Sequence, residues 1–112
     1  MANRVFELRT YHAALGKMAA LHARFRDHTC RLLQKHGMTL LGFWVPLDPA
    51  EADKKLLYLV AYPSREAAER SWAAFRTDPE WQAVKEASER DGKIVERLES
   101  VFLGPTDYSA LR

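Results

Sequence analysis

Glu7, Arg9 and Tyr11 alternate along the stretch RVFELRTYH, Arg4 to His12. Alternation puts an acid, a base and a phenol on one side of a pleated strand, with Phe6, Leu8 and Thr10 on the other. In a half-apolar cavity such a set could do chemistry. The carboxylate would have a raised pKa and the guanidinium would hold an anionic group. His12 follows at the strand end, where its near-neutral pKa suits a proton carrier. Glu7, Arg9, Tyr11 and His12 are therefore the catalytic candidates.

Arg97 and Glu99 alternate in the same way near the C-terminus. If the first and last strands are antiparallel neighbours, a crossed set of opposite charges forms, with Glu99 the expected partner of Arg9. The same charges could equally be an ion-pair network that fixes strand register and dimer geometry. Trap or interface is also the choice for the aromatics Trp44, Tyr58 and Tyr62, which would line a pocket or pack against a partner. The expected ligand contacts are Arg9, Tyr11, Trp44, Tyr58, Tyr62, Arg97 and Glu99.

Other chemistries find little support. His22 and His28 are six residues apart and His28 and His36 eight apart, so no pair has the three- or four-residue spacing that sets two ligands side by side on a helix. With one cysteine and no H-E-x-x-H run, no metal site is expected. Cys30 reads as a small helical residue rather than a nucleophile. As the sole cysteine it makes no internal disulfide, which fits a reducing compartment, and a cytoplasmic location is expected. The net charge of +2 comes from interspersed acids and bases without a basic stripe, which argues against nucleic-acid binding. No apolar run spans a bilayer, and the N-terminus has no secretory signal core.

The elements that must position these residues follow from periodicity. At 112 residues and 47% apolar content, the chain reads as one domain with a real core. After the first strand and a turn over Ala13 to Lys17, Met18, Leu21, Phe25, Thr29 and Leu32 recur at helical spacing. Gly37 closes that helix. Met38 to Val45 reads as a strand apolar on both faces, with Leu41, Phe43 and Val45 on one and Leu40 and Trp44 on the other. Pro46 to Lys55 is expected as a polar loop turning at Asp48-Pro49. Leu56 to Tyr62 is the third strand. Ser64 caps a helix with the stripe Ala68, Trp72 and Phe75. Asp78-Pro79 restarts a second helical piece carrying Trp81 and Val84. Trp72, Phe75 and Trp81 are expected as core. Ile94 to Leu103 is the last strand, broken by Gly104-Pro105. The tail over residues 104–112 is expected to be ordered, with Tyr108 and Leu111 docking on the domain or crossing to a partner subunit.

The order β-α-β-β-α-β, with the second helix in two pieces, is that of the ferredoxin-like α+β fold. Its single antiparallel sheet carries the helices on one face. If that face is dry, Glu7, Arg9 and Tyr11 belong on the other. The uncovered face also takes apolar side chains, and a second copy of the sheet is its simplest cover. Two such sheets face to face make a dimeric α/β barrel.

The segments FELRTYH, ARFRDHT, KHGMTLLGFW, LVAYPS, SWAAFRTDPEWQAV and ESVFLGPTDYS together resemble the NIPSNAP family over nearly the whole chain, residues 1–112. The resemblance implies a ferredoxin-like domain of the dimeric α/β barrel superfamily, and no settled reaction. Animal members are mitochondrial and are linked to vesicle trafficking and mitophagy. This chain has no Arg- and Ser-rich leader, so that location is not carried over, and its compact form looks like a bacterial member.

Two functions stay open. One is a homodimeric or higher-order module that holds a small, partly apolar ligand or a protein partner, with no cofactor. The other is a cofactor-independent enzyme, monooxygenase- or isomerase-like, using the polar residues in the cavity. Fully paired charges in a filled cavity would favour the module; charges beside empty space would favour the enzyme. Haem chemistry is further disfavoured because Ser64 to Asp91 contains no histidine.

Overall fold

The computed structural model describes residues 3–112. Its elements are β1 (Val5–Ala13), α1 (Met18–Arg24), a π-helical turn (Phe25–Thr29), α2 (Cys30–Lys35), β2 (Thr39–Trp44), α3 (Pro49–Ala52), β3 (Lys55–Tyr62), α4 (Arg65–Arg76), α5 (Pro79–Ser88) and β4 (Val95–Leu103). The strands lie in the order β2-β3-β1-β4, every neighbouring pair antiparallel. This is the ferredoxin-like α+β arrangement, with the second helix divided into α4 and α5.

Local chemistry sets the boundaries. Ser64 Oγ accepts the Ala67 N–H and caps α4. Asp78 accepts the Glu80 N–H, with Pro79 at the first helical position of α5. Gly37, at φ 86°, takes the left-handed conformation that ends α2. Two details differ from expectation. Asp48 caps a one-turn helix, α3, inside the expected loop. The first helix is not uniform, because the π turn inserts between α1 and α2.

The helices cover one face of the sheet. Leu21, Leu32 and Leu33 pack there with Tyr58, Val60, Tyr62, Ala68 and Ile94, all fully buried. Glu7, Arg9 and Tyr11 lie on this same face, opposite the expected one, since Trp72 of α4 reaches the Glu7 carboxylate. Phe6, Leu8 and Thr10 take the open face, across from Ala61, Leu59 and Leu57.

A bulge in β2 sorts its side chains. Leu40 pairs with Val60 and Gly42 with Leu59, leaving Leu41 as the extra residue. The simple alternation that grouped Leu40 with Trp44 therefore fails. Leu40 and Phe43 turn to the core, Phe43 stacking on Tyr58 at 4.9 Å, while Trp44 turns to the open face. A Cβ on Gly42 would sit 2.6 Å from the Trp44 ring, so the indole lies flat against the strand only because that residue is glycine.

The C-terminal segment folds back over one end of the open face. Pro105, Ser109 and Leu111 form a cleft of about 310 Å³ with Phe6, Leu59 and Leu103. Arg4 Nε donates to the Arg112 carbonyl at 2.9 Å, and Arg112 Nε to the Ser109 carbonyl at 2.9 Å. Leu111 lines this cleft, whereas Tyr108 is 85% exposed and does not dock on its own domain. Among the described residues no helix is long and apolar enough to cross a membrane.

Removing Thr106 to Arg112 uncovers Phe6 and Leu59. The expected loss is about 1.5 kcal/mol, the low end for exposing a large apolar side chain. For a domain near this size that lowers the melting temperature by roughly 4–8 °C per kcal/mol. An unchanged thermal melt of the truncated chain would show that the segment adds nothing to the sheet.

Candidate functional site

The polar cluster is built by β1 and closed by three other elements. Alternation on β1 aims Glu7, Arg9 and Tyr11 toward the helices. Register then sets Glu7 across from Val60 and Phe102, and Arg9 across from Tyr58 and Ser100. β3 contributes Tyr58 and Tyr62, α4 contributes Trp72, and β4 contributes Ser100.

Glu7 is 2% exposed, yet both of its carboxylate oxygens are engaged. Oε1 accepts from the Tyr62 hydroxyl at 2.6 Å and from Trp72 Nε1 at 3.1 Å. Oε2 accepts from Arg9 Nη1 at 2.7 Å and from the Ser100 hydroxyl. Arg9 spends its other nitrogens on phenols: Nε donates to Tyr58 at 2.9 Å and Nη2 to Tyr11 at 3.1 Å. The Tyr58 hydroxyl donates in turn to Tyr11 at 2.9 Å. The Arg9 guanidinium carbon lies 4.0 Å from the centroid of the Trp72 ring, a close cation–π contact.

The electrostatics follow from this pairing. Burial alone would raise the Glu7 pKa. The hydrogen bonds from Ser100 and Tyr62 and the charge of Arg9 outweigh it, and the pKa falls below the ordinary 4.5. Ionised Glu7 thus contributes stability above about pH 4.5, and that contribution is lost as pH falls through its depressed folded value. Burial and the neighbouring Glu7 carboxylate push the Tyr62 phenol up. Burial and then Tyr11 push Tyr58 up. Burial opposes the charge on Arg9, but the surrounding phenols and Glu7 raise its pKa on balance. A carboxylate held ionised and phenols held protonated are poor proton shuttles near neutral pH. The adjoining enclosed cavity, bounded by Tyr11, Phe25 and Trp72 among others, measures about 30 Å³. That is room for roughly one water molecule.

The candidates from sequence separate into two groups. Glu7, Arg9, Tyr11, Tyr58 and Tyr62 come together under the helices. His12, Trp44, Arg97 and Glu99 lie on the open face or its edge. There Glu99 accepts from Arg97 at 2.6 Å and pairs with His12 Nε2 at 3.0 Å. The expected Arg9–Glu99 pair does not form. Arg9 faces Ser100 in the β1–β4 register, and one residue of register turns Glu99 to the opposite face. The partner of Arg9 is Glu7, the neighbour that strand divergence was expected to disfavour. Trp72 and Ser100 are polar partners that alternation and helical spacing do not point to. The helical stripe marks Trp72 as core without revealing its indole N–H as a donor, and the lone hydroxyl between Glu99 and Val101 is the available signal for Ser100. Burial pushes the Cys30 thiol up, away from the reactive thiolate.

Replacing Arg9 with Met leaves the Glu7 carboxylate buried without its charge partner. Thermal and urea melts should show a loss of roughly 3–5 kcal/mol. The double replacement Arg9→Met with Glu7→Leu should recover a good part of it, whereas Glu99→Leu alone should cost about 1 kcal/mol or less. Additive losses in the double variant would mean that Glu7 and Arg9 are not coupled.

The NIPSNAP family model matches residues 6–110. Among solved structures, a NIPSNAP family protein of Agrobacterium tumefaciens is 24% identical with a TM-score of 0.83, over 98% of this chain and 100% of that one. An uncharacterized NIPSNAP domain protein of Burkholderia xenovorans is 24% identical with a TM-score of 0.77, over 94% and 97%. A Nitrosomonas europaea protein, named for the antibiotic biosynthesis monooxygenases, is 14% identical with a TM-score of 0.65, over 97% and 96%. At these identities the likeness to solved structures shows the fold alone. No curated protein matches the chain. The family model spans nearly the whole sequence, and the chain belongs to the NIPSNAP family.

Proposed function

We propose that the chain is a homodimeric α/β-barrel binding module, two sheets packed on their open faces, and that its polar cluster holds the fold rather than performing catalysis. The observation that carries this reading is the saturated Glu7–Arg9 network beside a cavity of only about 30 Å³. An enzyme built on Glu7 and Arg9 would need substrate space next to them. The open face supports the dimer. Trp44 and Val101 are each 52% exposed there, and Leu8, Leu57 and Leu59 are only part-covered. Apolar area of this kind is usually met by a partner, and sheets pack face to face about 10 Å apart. The C-terminal segment covers the end near Phe6, leaving the region around Leu8, Leu57, Val101 and Trp44 for the second copy. The Arg97–Glu99–His12 set on the same face supplies polar groups for its margin. Cys30 is unpaired and half-buried, in keeping with a reducing, cytoplasmic setting.

Sedimentation at micromolar concentration should give a dimer. Val101→Glu puts a charge on the open face without touching the core, and should raise the dimer dissociation constant about 100-fold, equivalent to roughly 2.7 kcal/mol. A parent protein that sediments as a monomer would overturn the reading.

A further inference from the structure

Arg24 ends α1 at the point where the helix enters the π turn, a deformation that recurs at functional positions. Thr29 Oγ1 donates to the Arg24 carbonyl at 3.2 Å across that turn. The Arg24 side chain is 6% exposed. Nη1 donates to Ser88 Oγ at 3.2 Å and to Glu89 Oε2 at 3.0 Å, both at the end of α5. The guanidinium carbon lies 5.1 Å from the Trp81 ring centroid. Nε is buried and donates to nothing among the described residues. A buried donor left without an acceptor is costly, and the Nε side of a guanidinium is an edge that can take a carboxylate in a bidentate grip.

Arg24 also borders two spaces. One is the small cavity beside Tyr11 and Trp72. The other is a groove of about 470 Å³ between α1 and α5, walled by Ala20, Ala23, Ala83, Val84 and Ala87. That volume falls within the range of small-molecule sites. Asp27 and His28 also line the groove, and the Glu89 carboxylate is close by on Arg24. Two acids near the groove disfavour a second negative charge on any ligand, while the alanine wall suits a hydrocarbon. α5 has no fully buried residue and is held on the core by Trp81 and Val84, so opening the Arg24–Glu89 contact needs a shift only of its last turn, around Ser88 and Glu89.

We propose that Arg24 anchors the carboxylate of a small apolar monocarboxylic acid whose hydrocarbon part lies in the groove between α1 and α5. This names a ligand class for the module and does not depend on the dimer. The full chain is titrated calorimetrically with octanoate and with the uncharged octanamide. Octanoate should bind saturably and at least tenfold more tightly than octanamide. Ala87→Phe, on the exposed wall, should weaken octanoate at least tenfold with its melting temperature and sedimentation unchanged. Arg24→Lys should shrink the preference for octanoate over octanamide. No saturable binding at millimolar octanoate, equal binding of octanamide, or indifference to Ala87→Phe would each overturn the proposal and leave Arg24 Nε to a buried water. A dimer that ignores octanoate refutes this site alone; a monomer that binds it refutes the dimer alone.

Discussion

A carboxylate shut away from water is the constraint that the surrounding structure answers. Glu7 sits on the first strand, beneath the helices, where an unpaired negative charge would be untenable. Four donors from β1, β3, β4 and α4 meet its two oxygens. Three of these donors, Tyr62, Ser100 and Trp72, tie β3, β4 and α4 to β1, and Arg9 supplies the countercharge from β1 itself. A slip of either neighbouring strand by one residue would turn Ser100 or Tyr62 to the other face and leave Glu7 short of a partner. The carboxylate gives the packing a unique register as well as cohesion. Arg9 extends the same device to Tyr11 and Tyr58 and lays its flat face on Trp72.

The two faces of the sheet divide the work. The helix face joins this network to the apolar core. The open face is apolar in its middle and charged toward one edge, with the C-terminal segment across the other end. The β2 bulge takes part in the division by sending Phe43 inward and Trp44 outward from adjacent positions. Outside the sheet, a second acidic anchor links helices. Asp78 caps α5 and accepts from Lys35 and His36 at 2.8 Å each, and these hydrogen bonds hold its pKa well below the usual carboxylate range. That contact fixes the start of α5, while its far end rests on Arg24.

Periodicity and capping residues revealed the order of elements, because hydrophobic spacing and residues such as Ser64, Asp78 and Gly37 act locally. The family could be read from motifs spread along the chain. What escaped were features decided by partners far apart in sequence. The side of the sheet taken by Glu7 and Arg9 depends on whether Tyr62, Trp72 and Ser100 can satisfy them, and no window of the sequence contains that set. Assuming a dry helix side was the error: a helix-covered face accepts charge once every lone pair is met. The Arg9–Glu99 expectation failed because strand register was assumed rather than known. The bulge at Leu41 and the π turn after Arg24 carry no strong local signal. Gly42 marked a close approach that alternation alone could not assign.

Glu7 is buried, ionised and held by its neighbours. Carbon-13 NMR titration of the Glu7 side-chain carboxyl measures this directly. The Glu7 carboxyl should show an ionised chemical shift at neutral pH and a midpoint below the ordinary glutamate value of 4.5. A midpoint at or above 4.5 would show that burial outweighs the hydrogen bonds and the Arg9 charge, and would contradict the role assigned to the cluster.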